Sequence, residues 1–358
     1  MKKEIKIFCA KDWSIDSAQD KLGYEMLDTG EGEKLERFGP YTFRRPSESA
    51  IWKKTLSEKE WAKADGKFWS SKIGAKAGWK FKNPEGNPWG NSLKGYPRDF
   101  KWEMGYKRIK FLASPTPFRH LGFFPEQAVH WDFIEEKIAE RINSPLEEYP
   151  KGEVDKFSTP SRKRATPQEG NSKPKFLNLF GYTGVASLFA LRAGAEVTHI
   201  DASKTSTEWA KENQKISGLE KMPIRIICED VMKFLEREIK RGNKYDAVIM
   251  DPPKFGRGPK GEIWEIEKDL PKLLSQVRKI LSDKPLFVIL NSYAIDSSTL
   301  SLGYALEDAM KPAHNAFSIA DVGGGLNGEV ISGELCLLEK SNGRNISLSN
   351  TAIWQKNQ

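Results

Sequence analysis

Cysteine is scarce in this chain of 358 residues: Cys9, Cys228 and Cys336 stand far apart. They make no CxxC pair, and the four histidines, His120, His130, His199 and His314, add no Cys/His ligand spacing. A disulfide scaffold and a structural zinc centre are thereby excluded, and no metal is expected. Cys228 and Cys336 fall in apolar runs, Ile226-Ile-Cys228 and Leu335-Cys-Leu-Leu338, and read as buried small hydrophobes rather than catalytic thiols. Long apolar runs are missing as well. No window approaches the roughly 18 uninterrupted apolar residues of a membrane span, so no membrane association is expected. Met1–Ala10 carries charge but no sustained apolar core of the secretory kind, and the expected compartment is the cytoplasm. No internal repeat is visible.

Positive charge and tryptophan are plentiful. The net charge is +8, with a pI near 9.1. Residues 51–110 hold fifteen Lys/Arg against six Asp/Glu, together with Trp52, Trp61, Trp69, Trp79, Trp89 and Trp102. Two readings fit this stretch. Cations neutralise phosphate while flat rings stack on unpaired bases, which suits RNA. Alternatively, a small β-rich domain keeps tryptophans in its own core and lysines in solvent.

Leu35-Glu-Arg-Phe-Gly-Pro-Tyr-Thr-Phe-Arg44 has a Gly-Pro turn between alternating apolar residues, the pattern of a hairpin. Asn83–Gly90 reads as turns. Residues 1–110 are therefore expected to form a β-rich, basic and aromatic N-terminal domain. Residues 111–144 form a connecting segment, with a helix from Pro125 to about Ile142 whose Val129, Phe133, Ile134 and Ile138 keep near-helical spacing. Residues 145–174 are polar and proline-laden, include Ser161-Arg-Lys-Arg164, and read as a loop or linker.

From 175 to 340 strands and helices alternate. Strands are expected at Phe176–Phe180, Glu196–Ile200, Pro223–Cys228, Tyr245–Met250 and Pro285–Asn291, and helices at Gly184–Ala193, Ser203–Ile216, Val231–Arg241, Glu265–Leu281 and Ser298–Met310. That order predicts an α/β domain, a parallel sheet covered on both faces. Asn315–Asp321 and Glu329–Glu339, around a glycine-rich turn, predict a terminal antiparallel hairpin. Residues 341–358 are expected to be a tail.

In an open α/β sheet, ligands bind beyond the carboxyl ends of the strands. The candidates there are Asn178–Gly184, Asp201, Asp230 and Asp251. Gly181 and Gly184 permit a tight turn and close approach to a ligand. Tyr182 and Thr183 between them suit a ligand without pyrophosphate, since phosphate binding wants consecutive free amides at a helix start. Asp201 is placed to accept from two ribose hydroxyls. Asp230 can accept from an adenine amine, with Val231 lining the ring. The structural alternative for each aspartate is a helix N-cap. In Asp251-Pro-Pro-Lys-Phe255 the paired prolines fix φ twice and donate no hydrogen bond, so carboxylate and carbonyl are held rigidly. Such an arrangement can receive an amine or an out-turned base edge. Lys254 can hold phosphate or substrate and Phe255 can stack on a base. Gly256-Arg-Gly-Pro-Lys-Gly261 reads as a flexible basic loop beside them.

On Asn178-Leu-Phe-Gly-Tyr-Thr-Gly184, Val197-Thr-His-Ile-Asp-Ala-Ser203 and Asp251-Pro-Pro-Lys-Phe255, the chain resembles class I S-adenosylmethionine-dependent methyltransferases, and more narrowly bacterial proteins related to 23S rRNA methyltransferases. Gly122-Phe-Phe-Pro-Glu-Gln127 resembles the family's segment that approaches the cofactor. The resemblance covers roughly Leu22–Arg45 and Phe111–Glu339. It implies a Rossmann-like seven-stranded sheet with the last strand antiparallel, and S-adenosyl-L-methionine as cofactor. The implied cofactor contacts are Gln127, Asn178, Phe180–Gly184, Asp201, Ala202, Ser203, Asp230 and Val231, and the implied catalytic group is Asp251–Phe255. The implied substrate is ribosomal RNA, met through the basic aromatic N-terminal region. Two departures stand out. No cysteine follows Asp251-Pro-Pro before Cys336, which argues against cytosine-5 chemistry. The N-terminus also does not match the RNA-binding module of many relatives. The alternatives are a methyltransferase acting on a protein or small molecule, a non-catalytic RNA-binding assembly factor and, more distantly, a nicotinamide oxidoreductase.

Overall fold

The computed structural model describes residues 4–10, 13, 22–70, 77–82, 100–142, 173–293, 298–311 and 326–357. The expected linker at 145–174, apart from its last two residues, the turns at 83–90 and the strand at 315–321 lie outside the described residues. The chain divides into two compact units.

One unit comprises residues 8–129 and 335–348. Its elements are the second half of β1 (Ile5–Ala10), β2 (Tyr24–Gly30), β3 (Glu33–Phe38), β4 (Tyr41–Pro46), α1 (Glu58–Trp61), β5 (Gly66–Ser70), β6 (Ala77–Phe81), β7 (Trp102–Tyr106) and β8 (Ile109–Ala113). Strands β2 to β6 form a five-stranded sheet in chain order. The hairpin expected at Leu35–Arg44 is β3–β4, with Phe38 opposite Tyr41 and Gly39 at φ +61°. Tyr24, Leu35, Phe38, Phe43, Trp61, Trp102 and Phe111 are buried. The indoles donate inward: Trp61 to Asp28 Oδ2 at 2.8 Å, Trp52 to Thr29 Oγ1 at 3.0 Å, Trp79 to the Thr116 carbonyl at 2.8 Å and Trp102 to the Phe38 carbonyl at 3.1 Å. These four rings therefore serve the unit itself rather than standing ready to stack on bases. An indole carries a large apolar surface and one donor, and burial with a carbonyl or carboxylate partner satisfies both.

The other unit comprises residues 1–7, 130–334 and 349–358. It contains most of α2 (Ala128–Ile142), then β9 (Lys175–Leu179), α3 (Val185–Arg192), β10 (Glu196–Asp201), α4 (Lys204–Ile216), β11 (Ile224–Cys228), α5 (Val231–Arg241), β12 (Ala247–Met250), β13 (Phe255–Arg257), β14 (Ile263–Glu265), α6 (Ile266–Ile280), β15 (Phe287–Ser292), α7 (Thr299–Met310) and most of β16 (Gly328–Leu338) and β17 (Asn345–Lys356). The main sheet runs β11-β10-β9-β12-β15-β17-β16-β1. Seven of its strands come from residue 175 onward, and β1 adds an eighth at the edge. Strand β17 is antiparallel to β15.

Two expectations are corrected here. Residues 341–358 are no tail, because Asn345–Lys356 is a sheet strand with Ala352, Ile353 and Trp354 buried. The hairpin partner of β16 is thus β17, joined through a turn in which Glu339 N–H donates to the Arg344 carbonyl at 2.8 Å. The central strands explain themselves: every residue of Ala247–Met250 and Phe287–Ser292 is buried, as a strand covered on both faces requires. No helix among the described residues is long and apolar enough to cross a membrane.

The chain runs β9, β10, β11 outward, then returns to the other flank of β9 to make β12. That reversal is the switch point where α/β sheets open a crevice. Register keeps the carboxyl ends level: Leu179 lies opposite both Ile200 and Met250, and Asp201 opposite Cys228.

Candidate active site

The turn after β9 holds two aromatic residues in the left-handed region, Phe180 at φ +57° and Tyr182 at φ +50°. Each such non-glycine residue costs on the order of 1–3 kcal/mol and persists only where its surroundings hold it. Here they do. Tyr182 N–H donates to Asp201 Oδ2 at 2.9 Å, Gly181 N–H donates to the Ile200 carbonyl at 2.9 Å, and the Phe180 ring lies 5.2 Å from that of Trp264.

The glycines serve a different neighbour from the one expected. A Cβ on Gly181 would sit 2.4 Å from His199 Cε1 and 3.1 Å from Asn178 Cγ, and one on Gly184 2.9 Å from Ala210 Cβ. The crowding comes from the protein's own side chains. Gly184 additionally takes φ +82° as the residue capping α3. Beneath the turn, Asn178 Nδ2 donates to Ser187 Oγ at 2.9 Å, and Ser187 Oγ lies 3.1 Å from His199 Nδ1. Burial pushes His199 down to about 4, so the ring is neutral at pH 7. Thr183 is buried and its carbonyl accepts from Asn213 Nδ2 at 2.8 Å.

Asp201 ends β10 and caps no helix. Its oxygens accept one backbone N–H each, from Tyr182 and from Ser203 at 2.8 Å, while Ser203 itself caps α4. A carboxylate offers about four lone-pair sites, so each oxygen can take another donor. Burial raises the Asp201 carboxyl above the usual range despite the two opposing N–H groups. Asp230 does cap α5, accepting from Lys233 N–H at 2.9 Å through Oδ1. The capping alternative therefore holds for Asp230 and fails for Asp201. Val231, next in line, is buried. Cys228 is exposed, against expectation. It ends the edge strand β11, and its thiol donates to the Ala202 carbonyl at 3.5 Å. Cys336 is buried.

Asp251 follows β12 and precedes no helix. Its Oδ1 accepts from Asn291 Nδ2 at 3.2 Å. Pro252 is buried, whereas Pro253, Lys254 and Phe255 are exposed. The Pro253 carbonyl accepts from the Trp264 indole at 2.6 Å, and the Lys254 carbonyl from Ile266 N–H at 3.0 Å. Of the segment expected to be a flexible basic loop, Gly256 and Arg257 belong to β13, which pairs with β14 so that Gly256 lies opposite Trp264, and residues 258–261 form the turn between the two strands.

One sheet edge thus carries the Phe180–Gly184 turn, Asp201–Ser203, Asp230–Val231 and Asp251–Phe255. Gln127 belongs to the other unit, where it is buried in the 3-10 turn Pro125–Gln127. Sequence reasoning missed Asn291 and Trp264. The strand-end rule extended to β15 would have found Asn291. Trp264 left no sequence signal, because its partner Pro253 is set by the ribbon.

The sequence model of the S-adenosylmethionine-dependent methyltransferase family matches residues 125–316, just over half of the chain. A solved structure, the SAM-dependent methyltransferase from Agrobacterium tumefaciens, is 35% identical with a TM-score of 0.73, covering 100% of this chain and 97% of its own. Ribosomal RNA large subunit methyltransferase K of Neisseria meningitidis serogroup B is 32% identical over 142 residues, 38% of this chain and 40% of that protein. Ribosomal RNA large subunit methyltransferase K/L of Pseudoalteromonas translucida is 34% identical over 127 residues, 35% of this chain and 18% of that protein. The matched region thus spans less than half the length of these curated relatives. With the strand order, the glycine turn and the level row of strand-end carboxylates already in place, the matches establish that this chain belongs to the S-adenosylmethionine-dependent methyltransferase family.

Proposed function

We propose that this protein transfers a methyl group from S-adenosylmethionine to ribosomal RNA. The observation that carries the reading is the convergence, at one sheet edge, of an uncapping and desolvated Asp201 with an Asp251 held by prolines and Asn291. The names of the curated relatives support RNA as the substrate, as does the net charge of +8.

The donor set fits the cofactor. Asp201 has one open acceptor position on each oxygen, matched to two adjacent ribose hydroxyls. Asp230 Oδ2 is placed for an adenine amine, with Val231 against the ring. Asn178 and the backbone from Phe180 to Gly184, with Ala202 and Ser203, form the wall around the remainder. The bound cofactor supplies a methyl group on an already activated sulfonium, so alignment of the acceptor does most of the remaining work. That alignment falls to Asp251, made rigid by Pro252 and Pro253 and accepting a hydrogen bond from the acceptor nucleotide. Lys254 faces phosphate and Phe255 a base. Attack on cytosine carbon-5 needs a thiolate beside the base. Cys336 is buried, Cys228 lies at the end of β11 and Cys9 lies in the edge strand β1, each away from the Asp251 motif on β12 in the strand order. The acceptor is accordingly a nitrogen or oxygen.

Mass spectrometry of rRNA nucleosides from cells with and without the gene tests this. One methylated nucleoside should disappear and return with the wild-type gene but not with Asp251→Ala. An unchanged profile would remove ribosomal RNA as the substrate.

A further inference from the structure

The ribbon that follows the Asp251 motif has two unlike faces. Residues opposite one another across a two-stranded pair share a face, and faces alternate along each strand. Gly256 and Trp264 therefore point one way, and Phe255, Arg257, Ile263 and Glu265 the other. The first face is buried against the protein body: Trp264 is 6% exposed, its indole bonds the Pro253 carbonyl, and its ring packs on Phe180. The second face looks into solvent, yet it holds two large apolar side chains, Phe255 at 53% and Ile263 at 62% exposure. A solvent-facing strand position ordinarily carries polar residues.

The charges around this face are not balanced within the ribbon. Its acids are engaged elsewhere, Glu262 with Lys233 of α5 and Glu265 with Lys268 of α6. Arg257 and Lys260 are exposed and form no ion pair among the described residues. The ribbon is also fastened to both halves of the site, through Trp264 to the glycine turn and the proline pair, and through Glu262 to the helix that Asp230 caps.

We propose that the outward face of the Phe255–Glu265 ribbon is a docking surface for a single-stranded segment of the RNA substrate, flanking the nucleotide presented to Asp251. The inference rests on the RNA reading above. An unpaired base adjoining the target stacks on Phe255 and meets Ile263, while Arg257 and Lys260 neutralise the phosphates on either side. Apolar surface interleaved with unpaired cations is what a single strand requires, since every base offers a flat face and every linkage a charge.

The test uses the full-length protein and a labelled unstructured RNA of about twelve nucleotides, within the footprint of single-strand sites. The variant is Arg257→Glu combined with Lys260→Glu, both at exposed positions. RNA affinity should fall by about tenfold or more, and the slope of log affinity against log salt should shrink by about 1.4, the contribution of two phosphates on a single strand. S-adenosylmethionine affinity by calorimetry should not change. Ile263→Ser should weaken RNA binding without altering the slope. If variant and wild type bind RNA within about twofold and with equal slopes, the ribbon is not the docking surface and the RNA reading survives. If the wild type binds no RNA at any salt concentration, both fall.

Discussion

Asn291 donates its side-chain amide to Asp251 Oδ1 at 3.2 Å, and its own oxygen accepts from Ser349 at 3.2 Å. Asn291 is fully buried near the end of β15, with Ser349 on the neighbouring β17. The carboxylate next to the proline pair is therefore aimed by a side chain two strands removed from the cofactor turn. Replacing Asn291 with Leu removes this hydrogen bond from Asp251. Turnover should drop by about tenfold to a hundredfold, the scale of a small misplacement of a reacting group. Affinity for S-adenosylmethionine should stay the same. A variant whose kcat equals wild type would remove Asn291 from any positioning role.

Asp201→Ala should weaken S-adenosylmethionine binding by about tenfold or more in calorimetry, the loss expected for hydrogen bonds to a charged acceptor. Tyr182 and Ser203 N–H groups lose their acceptor at the same time, so a thermal melt on the same sample is needed to establish that the protein is folded. Wild-type affinity in a folded variant would end the ribose assignment.

Asp251→Ala should abolish incorporation of labelled methyl into rRNA from cells lacking the gene while sparing cofactor binding. The carboxylate follows β12 and accepts from Asn291, while the ribose assignment rests on Asp201. Retained turnover would take Asp251 out of the reaction.

Gly181→Ala places a methyl group 2.4 Å from the His199 ring, which is buried and held by Ser187. Neither neighbour can give way cheaply, and overpacking of this kind costs about 1–3 kcal/mol. Chemical denaturation should register that loss. A midpoint equal to wild type would mean that the turn adjusts freely.

Stability should fall on acidification from pH 7 to pH 5. Burial lowers His199 to about 4 and His130 to about 3. In the unfolded chain both take up a proton near pH 6.5, whereas the folded protein keeps them neutral through this window. The unfolded state binds more protons between the two values, so folding free energy is lost as pH drops below about 6.5. At pH 5 the loss is about 2 kcal/mol for each ring, from 1.5 pH units at 1.36 kcal/mol per unit. A thermal midpoint that does not move between pH 7 and pH 5 would contradict these burials.

Much of the sheet domain was legible because its signals are local. The helix at Val231–Arg241 was read to the residue, since Asp230 caps it and Gly242 ends it at φ +68°. Strand β12 announced itself as a short apolar run, Ala247–Met250, and β15 as the apolar run Phe287–Leu290, which it extends. The tail was misread for the opposite reason. Asn345–Lys356 mixes polar and apolar residues, and it becomes a strand through pairing with β15 rather than through its own pattern. The start of the glycine-rich basic segment after Asp251, Gly256 and Arg257, departs from the loop expectation for a similar reason. The cross-strand pairing of Gly256 with Trp264 makes these residues a strand, with residues 258–261 as the turn.

The sequence by itself determined the alternation of strands and helices, the positions of Asp201, Asp230 and Asp251 at strand ends, and hence the edge at which a ligand is to be sought. These follow from periodicity, capping and turn chemistry, which act over a few residues. Tertiary structure alone decided which of those aspartates is consumed as a helix cap and which is left with acceptor capacity. It decided likewise that the glycines yield space to His199 and Ala210, that Trp52, Trp61, Trp79 and Trp102 turn their indole N–H groups inward, and that Asn291 holds Asp251 while Trp264 holds the Pro253 carbonyl. Each of these outcomes depends on groups far apart in the chain that packing and hydrogen-bond satisfaction bring into contact.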